Sequence, residues 1–138
     1  MSDDLYQQAI LERAKSTARA GRLNAADATA TVDNPLCGDR VTVDLKIADG
    51  RIVDVAHHVR GCALCQASAS VMAEAVIGQG AAAAHAGRNA AKSLLKGEAA
   101  TAPWTELEIF APVRRHKSRF DCVLLPFEAL AQALQPKK

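Results

Sequence analysis

The sequence predicts an α+β domain: a three-stranded antiparallel sheet with helices packed on one face. Three observations carry that prediction. Val41, Val43, Leu45 and Ile47 alternate strictly with polar residues, which is the two-residue period of a half-buried strand. Asp49-Gly50 separates that run from a second β-branched run, as a tight hairpin does. Beyond Gly61 the apolar residues change to helical spacing, so the helices follow the strands, which is an α+β order.

The elements follow in chain order. Ser2 to Arg19 reads as a helix, with Ser2 as cap, Asp3 and Asp4 in its first turn and Gly21 near its end. Leu5, Tyr6, Ala9, Ile10, Arg13 and Ala14 recur at helical spacing, so its apolar stripe is narrow and predicts loose docking, or movement when a partner binds. Ala28 to Val32 alternates small and β-branched residues as a short strand, and Asp33 to Asp39 is a loop rich in Asn, Pro, Gly and Asp. Arg40 to Ile47 and Ile52 to Arg60 are the hairpin strands. Leu64 to Ile77 and Ala82 to Lys96 are helices ending at glycines. Leu107 to Val113 stays ambiguous because Pro112 interrupts either kind of element. Arg119 to Leu134 is helical, with Pro126 as a kink or a restart.

Composition narrows the function classes. The 138 residues suit one domain, 1–138, large enough to bury a core without disulfides. Apolar residues make up 49% but aromatics only 4%, which favours close-packed helices over an aromatic-rich β-sandwich. A formal charge of +2 gives no support to nucleic-acid binding through bulk charge. The acidic start Met1-Ser2-Asp3-Asp4 has no apolar run behind it, and no stretch is long enough to span a bilayer, so the expectation is a cytoplasmic protein with no membrane partner. In a reducing compartment its four cysteines suit metal ligation or thiol chemistry better than disulfides.

Cys62 and Cys65 form a Cys-x-x-Cys where the last strand meets a helix, and the helix end favours thiolate. That pattern admits a thiol–disulfide redox protein, but a thioredoxin-like site needs a βαβ setting rather than an antiparallel hairpin. The alternative grouping is wider. Cys37 lies in a loop, Cys62 at a junction and Cys122 in the first turns of the last helix, so one end of the sheet can collect all three. A turn through Gly38 can bring Asp39 to the same point. Three thiolates and a carboxylate suit zinc or iron–sulfur chemistry, with Zn–S distances of ~2.3 Å. Against this stands the plain alternative of buried apolar cysteines. Cys65, beside apolar Leu64, fits the core or a supporting position, with a fourth sulfur ligand as the alternative. Asp121 fits a solvated carboxylate, with an oxygen ligand as the alternative. Its charge is expected to raise the Cys122 thiol pKa unless a metal offsets it. Arg114, Arg115, Lys117 and Arg119 form a basic cluster, either solvated or a docking patch for an acidic partner.

Three blocks carry a resemblance: Asn34-Pro35-Leu36-Cys37-Gly38-Asp39-Arg40, then Arg60-Gly61-Cys62 with Ala67-Ser68-Ala69-Ser70, then Arg119-Phe120-Asp121-Cys122. They resemble the signatures of the IscU/SufU-type (NifU N-terminal-like) iron–sulfur cluster assembly family over nearly the whole chain. The gap of 60 positions between Cys62 and Cys122 is similar to the SufU branch. The IscU branch has His where Asp121 stands and a Leu-Pro-Pro-Val-Lys motif that is absent here. The SufU branch usually has Lys at Asp121 and no counterpart of Cys65. The resemblance implies that Cys37, Asp39, Cys62 and Cys122 surround zinc or a transient iron–sulfur cluster. It implies persulfide sulfur delivered by a PLP-dependent cysteine desulfurase of the SufS type, and downstream iron–sulfur apo-proteins or carriers as acceptors. It implies a scaffold or zinc-dependent sulfurtransferase rather than a conventional turnover enzyme. Within that expectation Cys122 is the sulfur-accepting residue and Asp39 the labile ligand. A structural zinc domain that binds a protein partner is the other alternative.

Overall fold

The computed structural model describes residues 8–15, 20–34, 38–99 and 104–134. The order is α1 (Gln8–Lys15), β1 (Ala28–Asn34), β2 (Asp39–Ala48), β3 (Arg51–Arg60), α2 (Ala63–Val76), α3 (Ala83–Leu95), 3-10 turns over Thr105–Arg115 and Lys117–Arg119, then α4 (Phe120–Ala133). The strands form one antiparallel sheet in the order β1-β2-β3. Ala48 faces Arg51 across the hairpin, and Asp49 and Gly50 both take positive φ, 54° and 75°. Two consecutive positive-φ residues make the turn whose twist matches the strands and pair Ala48 with Arg51 and Ile47 with Ile52; an irregularity between Lys46 and Ile47 then shifts the register, so that Lys46 faces Asp54 and Arg40 faces Arg60.

Val41, Val43 and Leu45 of β2, with Ile52 and Val55 of β3, are fully buried beneath α2 and α4. The helices α2 and α4 therefore close the apolar face of the sheet. Ten of the fourteen residues of α2 are buried, including Ala67, Ser68, Ala69, Ser70 and Ala73. Such an all-round buried helix is central, and its small residues let α1 and α4 pack closely on either side. Burial of this kind stabilises by about 25 cal/mol per Å² of apolar surface.

Asp44 pins the outer face of the sheet. Its carboxylate is 1% exposed and accepts hydrogen bonds from Arg22 Nε at 2.6 Å, Arg22 Nη2 at 3.1 Å, the Leu23 N–H at 3.1 Å and Thr29 Oγ1 at 2.7 Å. Ahead of β1, the Gly21 N–H donates to the His57 carbonyl of β3 at 2.8 Å. From there the chain crosses over β2 on Asp44, through Arg22 and Leu23, and enters β1. Nothing in the alternation of β2 marks Asp44 out from its polar neighbours.

Helix α1 is not loosely docked. Ile10 is fully buried, and Arg13 donates to Ser70 Oγ and pairs with Glu74 on α2 and Glu106 after α3. The rest of the predicted first helix, residues 1–7 and 16–19, lies outside the described residues. The ambiguous Leu107–Val113 run resolves as 3-10 turns with Leu107, Phe110 and Val113 buried. No described helix is long and apolar enough to cross a membrane.

Candidate metal centre

Three elements meet at one corner of the sheet. Gly38, at φ 74°, donates its N–H to the Asn34 carbonyl at 2.8 Å and turns the chain into β2, whose first residue is Asp39. Antiparallel pairing places the last residue of β3, Arg60, opposite Arg40, so the following Gly61 and Cys62 lie beside Asp39. From the other side α4 presents Cys122 in its first turn. Among the described residues, Asp39, Cys62 and Cys122 each offer a ligand atom, and these atoms lie within 4.8 Å of one another. The Cys62 Sγ–Asp39 Oδ2 distance is 3.9 Å. Asp39 and Cys122 are buried, Cys62 is half-buried, and a surface cleft of about 480 Å³ lined by Asn34, Gly38, Asp39, Arg40 and Arg60 opens beside them.

The two thiols share a proton unequally. The Cys122 thiol hydrogen bond to Cys62 is the main cause that brings the Cys62 pKa down to about 6; the Cys65 backbone N–H and Arg119 assist, while burial and the Asp39 charge oppose. Cys122 moves up because it donates to Cys62, is buried, and faces both the Cys62 thiolate and Asp39, with only Arg119 pulling the other way. Burial disfavours the Arg119 charge, but hydrogen bonding and attraction to Cys62 and Cys122 outweigh it and raise its pKa. The corner thus holds a thiolate, a carboxylate, a proton-bearing thiol and one guanidinium. Two sulfurs and a carboxylate this close, with more negative charge than Arg119 alone offsets, are a donor set that fits zinc or iron.

The predicted site residues separate as follows. Asp39, Cys62 and Cys122 come together, whereas Cys37 lies outside the described residues. Cys65 is fully buried in the core, does not join the group, and supports Cys62 through its backbone N–H. Asp121 is exposed and faces a different cleft, with Lys92 and Glu128. The carboxylate acting on Cys122 is Asp39, not Asp121, which corrects the expected cause of its raised pKa. The basic cluster also divides. Arg114 donates to the Leu94 carbonyl at 2.6 Å and the Glu98 carbonyl at 2.9 Å, closing the end of α3, and Arg119 turns inward to the thiols. Only Arg115 and Lys117 of the four remain exposed. The inward role of Arg119 was missed, although its position three residues before Cys122 on a helical start was a usable signal.

The family described as NifU-like N terminal domain matches residues 5–136. The chain is 30% identical over 132 residues to the iron-sulfur cluster assembly scaffold protein IscU of Thermotoga maritima, covering 95% of this chain and 93% of that protein. It is 29% identical over 135 residues to the zinc-dependent sulfurtransferase SufU of Bacillus subtilis, covering 96% and 90%. Among solved structures, the N-terminal part of a nitrogen-fixing NifU-like protein from Brucella abortus superposes with a TM-score of 0.88 at 46% identity, over 96% of this chain and 93% of that one.

Proposed function

Because the chain belongs to the NifU-like N-terminal domain family, we propose that it is an iron–sulfur cluster assembly protein, a scaffold and sulfur acceptor working as a single domain over 1–138. The observation that carries this reading is the Asp39–Cys62–Cys122 group at the joined ends of β2, β3 and α4. Cys37, two residues before Asp39, completes a ligand set of three cysteines and one aspartate. When bound there, zinc or iron supplies the positive charge that keeps the cysteines deprotonated at neutral pH. The relatives named as scaffold and as zinc-dependent sulfurtransferase support both occupants.

The sulfur donor is a cysteine desulfurase of the SufS type, and downstream apo-proteins or carriers take the product. In the transfer, the Cys122 thiolate attacks the outer sulfur of the donor's persulfide. The donor's S–S bond breaks, the donor cysteine leaves as a thiolate, and Cys122 holds the persulfide. Oxidation states balance without an added reductant. Cys122 is the acceptor because it lies on the last helix, directly after the basic residues Arg115, Lys117 and Arg119 that suit an acidic partner. A second reading has its own observation. Cys62 is the more exposed thiol and the one ionised in the metal-free pair, and on that basis takes the sulfur first.

Persulfide labelling after incubation with a desulfurase and cysteine decides between them. Cys122→Ala is expected to abolish sulfur acceptance with the fold retained. Unchanged acceptance by Cys122→Ala, with loss in Cys62→Ala, establishes the second reading. Oxygen is the weaker donor to a thiophilic metal, so Asp39→Ala is expected to slow release of the metal or cluster. A release rate equal to wild type contradicts the role of Asp39 as labile ligand.

A further inference from the structure

Gly61 joins β3 to α2 in an exposed position, and its backbone does not take the positive φ of Gly38 or Gly50, so the chain path does not demand a glycine there. The neighbouring side chain does. A Cβ on Gly61 would lie 2.6 Å from Asp39 Oδ1, 2.8 Å from its Cγ and 3.1 Å from its Cβ, and those are its three nearest atoms. All three distances are shorter than ordinary van der Waals contact. The Gly61 peptide is itself held, since Gln66 Nε2 donates to the Gly61 carbonyl at 3.2 Å. Asp39 is 4% exposed and points toward Cys62. Rotating the carboxylate, the movable partner, away from the two thiols relieves the two closest contacts, to Oδ1 and Cγ, and leaves only the 3.1 Å contact with Cβ to be met by a small backbone shift.

We propose that Gly61 is a positioning residue for Asp39: its missing side chain is the space in which the carboxylate lies to face Cys62 and Cys122. The proposal rests on the reading of Asp39 as a ligand given above and adds the residue that aims it. Gly61 makes no contact with the metal through a side chain, so its effect passes entirely through Asp39. Replacing it should reproduce the loss of Asp39 without removing a donor atom.

The test uses the full chain in two states. In the metal-free protein, three-bond couplings at Asp39 report its χ1 rotamer. Gly61→Ala is expected to change that rotamer while leaving the thermal transition cooperative. An Asp39 rotamer identical to wild type overturns the proposal whatever the metal does. In the cobalt-loaded protein, the visible spectrum and the rate of cobalt release to a chelator are compared for wild type, Gly61→Ala, Asp39→Ala and the double variant. Gly61→Ala is expected to shift both in the same sense as Asp39→Ala. The double variant should match Asp39→Ala within about twofold, because an effect that passes through Asp39 is lost with it and the two substitutions do not add. A Gly61→Ala protein that releases cobalt as wild type does, while Asp39→Ala differs, overturns the positioning role and leaves Asp39 a ligand. If Asp39→Ala matches wild type in spectrum and release, the ligand reading itself fails, and with it the positioning of a ligand, even where the rotamer has moved.

Discussion

Asp39 and Asp44 lie on the same strand, and their surroundings give them opposite work. Asp44 accepts from a guanidinium, a backbone N–H and a hydroxyl, so nothing is left to bind another group. Burial alone would raise its pKa, but these donors outweigh it and hold the carboxyl below its ordinary value. A carboxyl with a depressed folded-state pKa stabilises the fold above its unfolded pKa, and that contribution is lost as pH falls through the lower folded value. Urea unfolding between about pH 2 and 6 should therefore show wild-type stability falling more steeply than that of Asp44→Asn toward acid. Asp44→Ala should cost about 1–3 kcal/mol at neutral pH, because Thr29 and the Leu23 N–H lose their acceptor. At the thiols, alkylation of metal-free protein should follow a Cys62 midpoint near the value of about 6. In Cys122→Ala that midpoint should move toward the ordinary thiol range, since the main cause of the shift is gone.

At the scale of elements, the hairpin and the helices were legible because each carries its own period and its own turn chemistry. Val41 to Ile47 and Asp49-Gly50 mark β2 and β3 as hairpin strands, although the shift in register beside Ile47, which leaves that residue exposed, carries no sequence signal of its own. The segment Thr105–Arg115 was not legible, because Pro112 lacks the N–H that a regular helix or a central strand requires. Its 3-10 path is decided by the burial of Leu107, Phe110 and Val113 instead. The firm docking of α1 was hidden for a similar reason. Its narrow apolar stripe understates a contact made by Arg13 with residues far along the chain. Gly87 in α3 offers a test of packing against propensity. A Cβ there would come within 2.8 Å of Trp104 Cη2 and 3.0 Å of the Phe127 ring, a pair in edge contact at 5.8 Å. Alanine gains up to ~1 kcal/mol of helix propensity, whereas overpacking costs about 1–3 kcal/mol. Gly87→Ala should therefore lower the melting temperature despite the better helix former, and a rise would show that the aromatic pair can shift at no cost.

For the whole molecule, the site is a product of topology. Cys62 and Cys122 are 60 positions apart and meet because α4 returns across the sheet to the corner where β2 starts and β3 ends. The spacing of cysteines around a Cys-Gly-Asp turn was enough to nominate Asp39, Cys62 and Cys122. Arg119 and the space left by Gly61 could not be read that way, because each matters through a partner distant in sequence. Cys65 had the opposite fate: adjacent in sequence to the site, it is packed in the core. The thiol that Cys62 bonds is Cys122 rather than Cys65, so the structure favours the wider grouping over the Cys-x-x-Cys pair. As one metal centre, Asp39, Cys62 and Cys122 should gain and lose their metal together. Metal and acid-labile sulfide analysis of anaerobically purified protein shows whether they do, beside the Cys62→Ala/Cys122→Ala double variant. About one zinc per chain, or iron with sulfide, is expected in the wild type, with loss of both in the double variant. Metal-free wild type with a Cys62–Cys65 disulfide, or a double variant that keeps its metal, would contradict a shared centre.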